Sequence, residues 1–138
     1  FPEAGADGLI FQNGIFVSSL CPHHMLPWFG TACIAFLPQN GRILGLSKFS
    51  RLARSIAAGL KTQEKVTSLI GTTLLEHHEL KPSGVGVSLR CYHTCMACRG
   101  ARDVNAVTTT QYLGGWIMTK PEIRAEFMSV IHHPDIMR

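Results

Sequence analysis

Val85-Gly-Val-Ser-Leu-Arg-Cys-Tyr-His-Thr-Cys95 leads an alternating, valine-rich run straight into a knot of cysteine and histidine. Read as a β-strand, its period of two places Cys91, His93 and Cys95 on one face, three metal-capable side chains in a row. One strand alone cannot close a metal site. The missing partners lie upstream in Cys21-Pro-His-His24, where a cysteine and a histidine separated by two residues have a spacing that can clasp one zinc ion from a turn. Two such clusters, far apart in the chain, imply one composite site.

The totals bound what that site serves. A chain of 138 residues with 46% hydrophobic side chains suits a single globular domain spanning residues 1–138. A net charge of +4 and a pI near 9.0 fit an anionic ligand such as a phosphate ester as well as they fit nucleic acid. Nucleic-acid binding is disfavoured because no basic run is interleaved with aromatics; Lys48, Arg51 and Arg54 follow helical spacing instead. Five cysteines, an odd count set beside histidines, point away from a disulfide framework and toward a reducing compartment. With no membrane-length apolar run and no signal-peptide pattern, the expectation is a soluble cytoplasmic protein that does not engage a membrane.

Outward from the opening stretch, the order of elements follows from periodicity. Leu9-Ile-Phe11 and Ile15-Phe-Val17, interrupted by Asn13-Gly14, read as a strand with a turn or bulge that delivers Cys21 at its end. Thr31 to Leu37 is a second strand, antiparallel to the first and stopped by Pro38 and Asn40-Gly41. From Ser47, a plausible N-cap, the period becomes helical, with Phe49, Leu52, Ala53, Ile56, Ala57 and Leu60 on one face. A second helix starts near Thr62, carries Val66, Leu69, Ile70 and Leu74, and breaks at Lys81-Pro-Ser-Gly84. Val85 to Cys95 is the third strand and Val104 to Leu113 the fourth. Thr119-Lys-Pro-Glu122 has the form of a capping box opening a last helix, with Ile123, Phe127, Val130 and Ile131 inward and Pro134 beyond its end. The class is α+β, with two helices between strands 2 and 3.

Five motifs in this order resemble GTP cyclohydrolase I: Ser19-Leu-Cys-Pro-His-His-Met-Leu-Pro27, Gly45-Leu-Ser-Lys-Phe-Ser-Arg-Leu-Ala-Arg54, Thr62-Gln-Glu-Lys-Val-Thr67, Pro82-Ser-Gly-Val-Gly-Val87 and His93-Thr-Cys-Met-Ala-Cys-Arg-Gly100. The resemblance runs from about Gly8 to the final helix. It implies a tunnelling fold, in which two hairpins form a four-stranded antiparallel sheet with two helices on one face, plus a C-terminal helix. It also implies that sheets from several subunits join into a barrel in the oligomer, a homodecamer with active sites where subunits meet. Family members usually carry a helical segment ahead of this core, and this sequence begins shortly before the first strand, which bears on assembly. Cys98 stands where a larger apolar residue is common and Lys65 stands for arginine, neither at a position with a role.

Residue by residue, the resemblance makes Cys21, His24 and Cys95 the ligands of a Zn²⁺ ion whose fourth position is open to water. Spacing alone fits equally well a closed structural site using Cys21, His24, Cys91 and Cys95. His23 and His93 become the acid and base, protonating purine N7 as water adds at C8 and moving protons again as the ring opens. In isolation either would read as a supporting or core histidine. Glu64, with Gln63, becomes the reader of guanine, accepting from ring N1–H and the exocyclic amine together; an isolated pair would read as a solvated first turn of a helix. Lys48, Arg51 and Arg99 become the triphosphate contacts and Ser47 a contact to ribose or phosphate, against the alternative of a solvated basic face. Cys33, Cys91 and Cys98 are packing or supporting positions, Trp28 and Trp116 packing or interface anchors, and His77-His78 and His132-His133 helix-end residues without chemistry.

The implied activity is hydrolytic opening of the imidazole ring of GTP, release of formate and rearrangement to 7,8-dihydroneopterin triphosphate. Two alternatives share these residues: a non-catalytic, zinc-stabilised module that binds a purine or pterin, and a cyclohydrolase that stops at a ring-opened intermediate.

Overall fold

The computed structural model describes residues 2, 3, 5 and 7–132; His133 and Pro134 lie outside the described residues. Strands β1 (Ile10–Leu20), β2 (Pro27–Leu37), β3 (Gly84–His93) and β4 (Thr108–Gly115) form one sheet in the order β1-β2-β3-β4, antiparallel throughout. Helices α1 (Leu46–Ala57) and α2 (Gln63–Leu75) join the two hairpins, α3 (Thr94–Ala97) is a single turn after β3, and α4 (Trp116–Thr119) and α5 (Pro121–Ile131) follow β4.

Alternation along each strand divides the apolar residues between two layers. On one face Ile15, Val17, Trp28, Ile34, Phe36, Val85, Val87, Leu89 and Cys91 bury against Phe49, Ala53 and Ala57 of α1 and Val66, Ile70 and Leu74 of α2. A smaller cluster on the other face joins Cys33 and Ala35 to Ile117, Phe127 and Ile131, so α4 and α5 cover only part of that side. Each large side chain buried in these layers stabilises the fold by about 1.5–3 kcal/mol. Helix α2 lies so close to β4 that a Cβ on Gly71 would stand 2.0 Å from Cδ1 of Tyr112. A residue without a side chain is what allows that approach.

The bulge expected at Asn13-Gly14 is present as a register shift between Gln12 and Ile15, with Gly14 at φ +69°. Several boundaries differ from the periodic reading, each for a local reason. Strand β2 begins at Pro27, four residues before Thr31, because Leu20 pairs with Pro27 and closes the hairpin around residues 21–26. Ser47 is not the N-cap of α1: Gly45 is, without a side-chain cap, and Ser47 is already helical. Leu60 falls beyond α1 and is exposed, bridging to Leu20 instead. Helix α2 starts where expected, and Thr62 is its N-cap, with Oγ1 accepting from Lys65 N–H at 3.2 Å. That helix ends at Leu75, well before Pro82, since the Leu80 N–H turns to His77 Nδ1 at 3.0 Å. Strand β4 starts only at Thr108, leaving Val104 exposed. The capping box at Thr119 does not form: its hydroxyl donates to Gly115 O at 3.2 Å within α4, and α5 is capped by Lys120 with Pro121 in its first turn.

Candidate active site

The β1–β2 hairpin and the end of β3 converge because β2 pairs with both, Leu20 opposite Pro27 and Trp28 opposite His93. Across the hairpin loop the Cys21 N–H donates to Leu26 O at 2.9 Å and the Met25 N–H to Cys21 O at 2.8 Å, with Met25 in the left-handed region at φ 56°. These bonds curl residues 21–26 so that Cys21 and His24 turn toward each other. After His93 the backbone leaves the extended conformation, and the Thr94 hydroxyl donates to Pro27 O at 2.7 Å. Cys95 therefore sits on α3, beside the loop.

The outcome is a compact donor set: the ligand atoms of Cys21, His24 and Cys95 all lie within 4.8 Å of one another, with Cys21 Sγ 3.9 Å from His24 Nδ1. Two soft thiols and an imidazole suit zinc rather than magnesium. Burial first, and then the neighbouring Cys21, pushes the Cys95 thiol above its ordinary pKa. A cation placed between the sulfurs reverses that repulsion, so the set fits a metal better than it fits two free thiols.

Cys91, Cys95 and His93 do not share one strand face as the period-two reading has it. Cys91 points into the core with no exposure, and burial pushes its pKa up to about 12. Among the described residues it is no part of the donor set. Cys33, also buried, is pushed up to about 11 and its thiol donates to Asn13 Oδ1 at 2.8 Å, while Cys98 is exposed.

His93 is held by its neighbours. Its ring stacks on Trp28 at 5.7 Å and 19°, Trp28 is itself tied down by an Nε1–H bond to Lys61 O at 2.9 Å, and His93 Nε2 lies 2.7 Å from Gln63 Oε1. Burial lowers the His93 pKa, and the Glu64 carboxylate nearby opposes that fall. Gln63 and Glu64, adjacent in sequence, face opposite ways: Gln63 is buried and Glu64 exposed. His23 is exposed, with its ring 6.4 Å from that of His24.

Ser47, Lys48 and Arg51 on α1 and Arg99 after α3 are all exposed. None of their side chains has a hydrogen-bond or ion-pair partner among the described residues. A cavity of about 320 Å³ bounded by Thr31, Cys33, Ser88, Arg90 and Gln111 holds none of the expected site residues; it opens on the face away from α1 and α2. Two residues of the site were not legible as such: Trp28, read only as an anchor, and Gln63 as a partner of His93. Both depend on the β2–β3 register and on how α2 packs.

Comparison with known proteins bears on the same residues. The model of the family described as GTP cyclohydrolase I matches residues 1–132, which include the donor set, His93 and Glu64. This chain belongs to the GTP cyclohydrolase I family. It is 44% identical over 127 residues to GTP cyclohydrolase 1 of Janthinobacterium sp. (strain Marseille), covering 92% of this chain and 63% of that protein. It is 38% identical over 125 residues to the Chlorobium chlorochromatii (strain CaD3) protein of that name, covering 91% and 55%, and 40% identical over 132 residues to that of Thermoanaerobacter pseudethanolicus, covering 96% and 69%. The chain thus spans between 55% and 69% of the length of these relatives. In fold it is similar to the apo crystal structure of the archaeosine synthase QueF-Like, with a TM-score of 0.61 at 14% identity, covering 82% of this chain and 97% of that one. The fold is the tunnelling fold expected of the GTP cyclohydrolase I family.

Proposed function

We propose that this chain is the catalytic core of a zinc-dependent GTP cyclohydrolase I, which opens the imidazole ring of GTP, releases formate and yields 7,8-dihydroneopterin triphosphate. The observation that carries the reading is the Cys21–His24–Cys95 donor set, three ligands among the described residues, beside a histidine held by Trp28 and Gln63. Zinc bound there would lower the pKa of a coordinated water to about 7. The chain's own residues do the rest. His93 and His23 move protons at N7 and at the opening ring, the burial of His93 lowering its pKa against the opposing Glu64 carboxylate. Glu64, exposed, accepts from guanine N1–H and the exocyclic amine, a pairing adenine does not offer.

Ser47, Lys48, Arg51 and Arg99, whose side chains have no partner among the described residues, hold the ribose and triphosphate, Ser47 and Lys48 lying in the first turn of a twelve-residue helix where backbone amides attract anions. The working form is a homodecamer with each site completed where subunits meet. Supporting assembly, β1 and β4 are the edges of the sheet, and Phe16, Phe29 and Tyr92 are exposed at 55%, 41% and 45%. No helix among the described residues is long and apolar enough to cross a membrane, in keeping with a cytoplasmic enzyme of pterin and folate biosynthesis.

The test is incubation of the assembled, zinc-loaded protein with GTP, following formate and product mass. Formate with dihydroneopterin triphosphate, abolished by chelation and by His93→Ala, is the expected result. Formate without the pterin would place the end of the reaction at a ring-opened species, and GTP binding without formate would leave only a binding module.

A further inference from the structure

We propose that Gln63 is a positioning residue that keeps a proton on Nε2 of His93, leaving Nδ1 as the ring nitrogen that exchanges protons with a ligand. Gln63 opens α2 yet is only 1% exposed, so the polar atoms of its side chain depend on protein partners. Its Nε2 lies 3.2 Å from Leu89 O, 2.9 Å from Thr108 O and 3.0 Å from Thr110 Oγ1. Two of these are backbone carbonyls, which only accept. The amide nitrogen must therefore face β3 and β4, and the amide cannot be turned over without setting oxygen against oxygen.

The threonines agree with that direction. Thr67 spends its one hydroxyl hydrogen on the Gln63 carbonyl at 2.8 Å, so Thr110 is the donor in their 2.7 Å contact. Thr110 Oγ1 then has only acceptor capacity left for the amide. Oxygen Oε1 of Gln63 is left facing His93 Nε2 at 2.7 Å. An amide oxygen cannot donate, so the imidazole must. Trp28, stacked on the ring, keeps its plane aligned for that bond.

With Nε2–H committed to the Gln63 oxygen, Nδ1 is the ring nitrogen left free to meet a ligand. Within the proposed reaction, on which this step rests, the protons that His93 exchanges with substrate pass through Nδ1. Gln63 then works on the histidine, and recognition of guanine falls to Glu64 alone.

The ring can be read without any turnover. Solid-state ¹⁵N NMR of the assembled, zinc-loaded protein labelled at histidine, with His93 assigned by difference against His93→Asn, shows which nitrogen carries the proton. The expected spectrum has it on Nε2. In Gln63→Leu both tautomers should be populated, whereas Thr110→Val, which keeps both carbonyl acceptors, should leave the preference intact. A proton on Nδ1 in the unaltered protein overturns the proposal, as does an unchanged preference in folded Gln63→Leu; the first arm decides even if that variant does not fold. In kinetics, Gln63→Leu should lower kcat about tenfold, the worth of one hydrogen bond to the reacting histidine, with KM little changed. A raised KM at constant kcat would return Gln63 to substrate recognition. If the unaltered protein shows the Nε2 signal but no formate, the enzymatic reading fails while the role of Gln63 toward the ring stands.

Discussion

Removing Cys91 separates a three-ligand metal site from a four-ligand one, and the structure fixes what each should show. Its thiol has no exposure and a pKa moved by burial from 9.0 to about 12, a gap worth about 4 kcal/mol against the thiolate a metal would need. Cys91→Ala should therefore leave zinc at one ion per chain after exhaustive dialysis. Its cost should fall on packing: deleting one buried heavy atom from a filled core resembles Ile→Val, about 1 kcal/mol, or a Tm lower by about 2–4 °C for a chain this long. Cys95→Ala should do the reverse, lowering zinc content sharply while disturbing the core little, because Cys95 lies on the half-exposed turn α3. Metal content by plasma mass spectrometry and a thermal melt on each variant measure both quantities. Loss of zinc from Cys91→Ala to the same degree as from Cys95→Ala would refute the reasoning and restore the closed site with Cys21, His24, Cys91 and Cys95.

Gly71→Ala should destabilise by about 1–3 kcal/mol, since the new methyl meets the Tyr112 ring, and a chemical-denaturation midpoint would register it; an unchanged midpoint would mean that α2 does not sit this close to β4. His93, whose pKa is lowered by burial, binds fewer protons in the folded than in the unfolded chain. Its contribution to stability is thus complete above the ordinary histidine pKa of about 6.5 and is lost as pH falls through the lower folded value. The Tm of metal-free protein should accordingly fall on acidification from about pH 7, and less steeply in His93→Gln; identical slopes would count against a desolvated ring.

Much of the molecule was legible because its signals are local. Period-two runs marked all four strands and the bulge, helical spacing marked the core faces of α1, α2 and α5, and the start expected near Thr62 is where α2 begins. Boundaries were less legible where two local options compete. Ser47 and Thr119 each have the side chain of a cap, but the backbone before Ser47 already turns at Gly45, and Thr119 bonds back into α4.

By itself the sequence determined the donor types, Cys21 and His24 within one turn and His93 with Cys95 at the end of a strand, because ligand chemistry and short spacings survive in one dimension. It also carried the family, through five ordered motifs. Spacing left open which cysteine joins the donor set; the resemblance pointed to Cys95, and the tertiary structure brings that residue to the set. Strand β3 ends at His93, Thr94 bonds across to Pro27, and Cys95 is swung to the hairpin loop while Cys91 stays in the core, opposite Gly30. Which of Gln63 and Glu64 is buried was decided the same way. Adjacent residues in a helix point about 100° apart, and which of them meets β3 and β4 depends on how α2 docks, a long-range contact that no local pattern encodes.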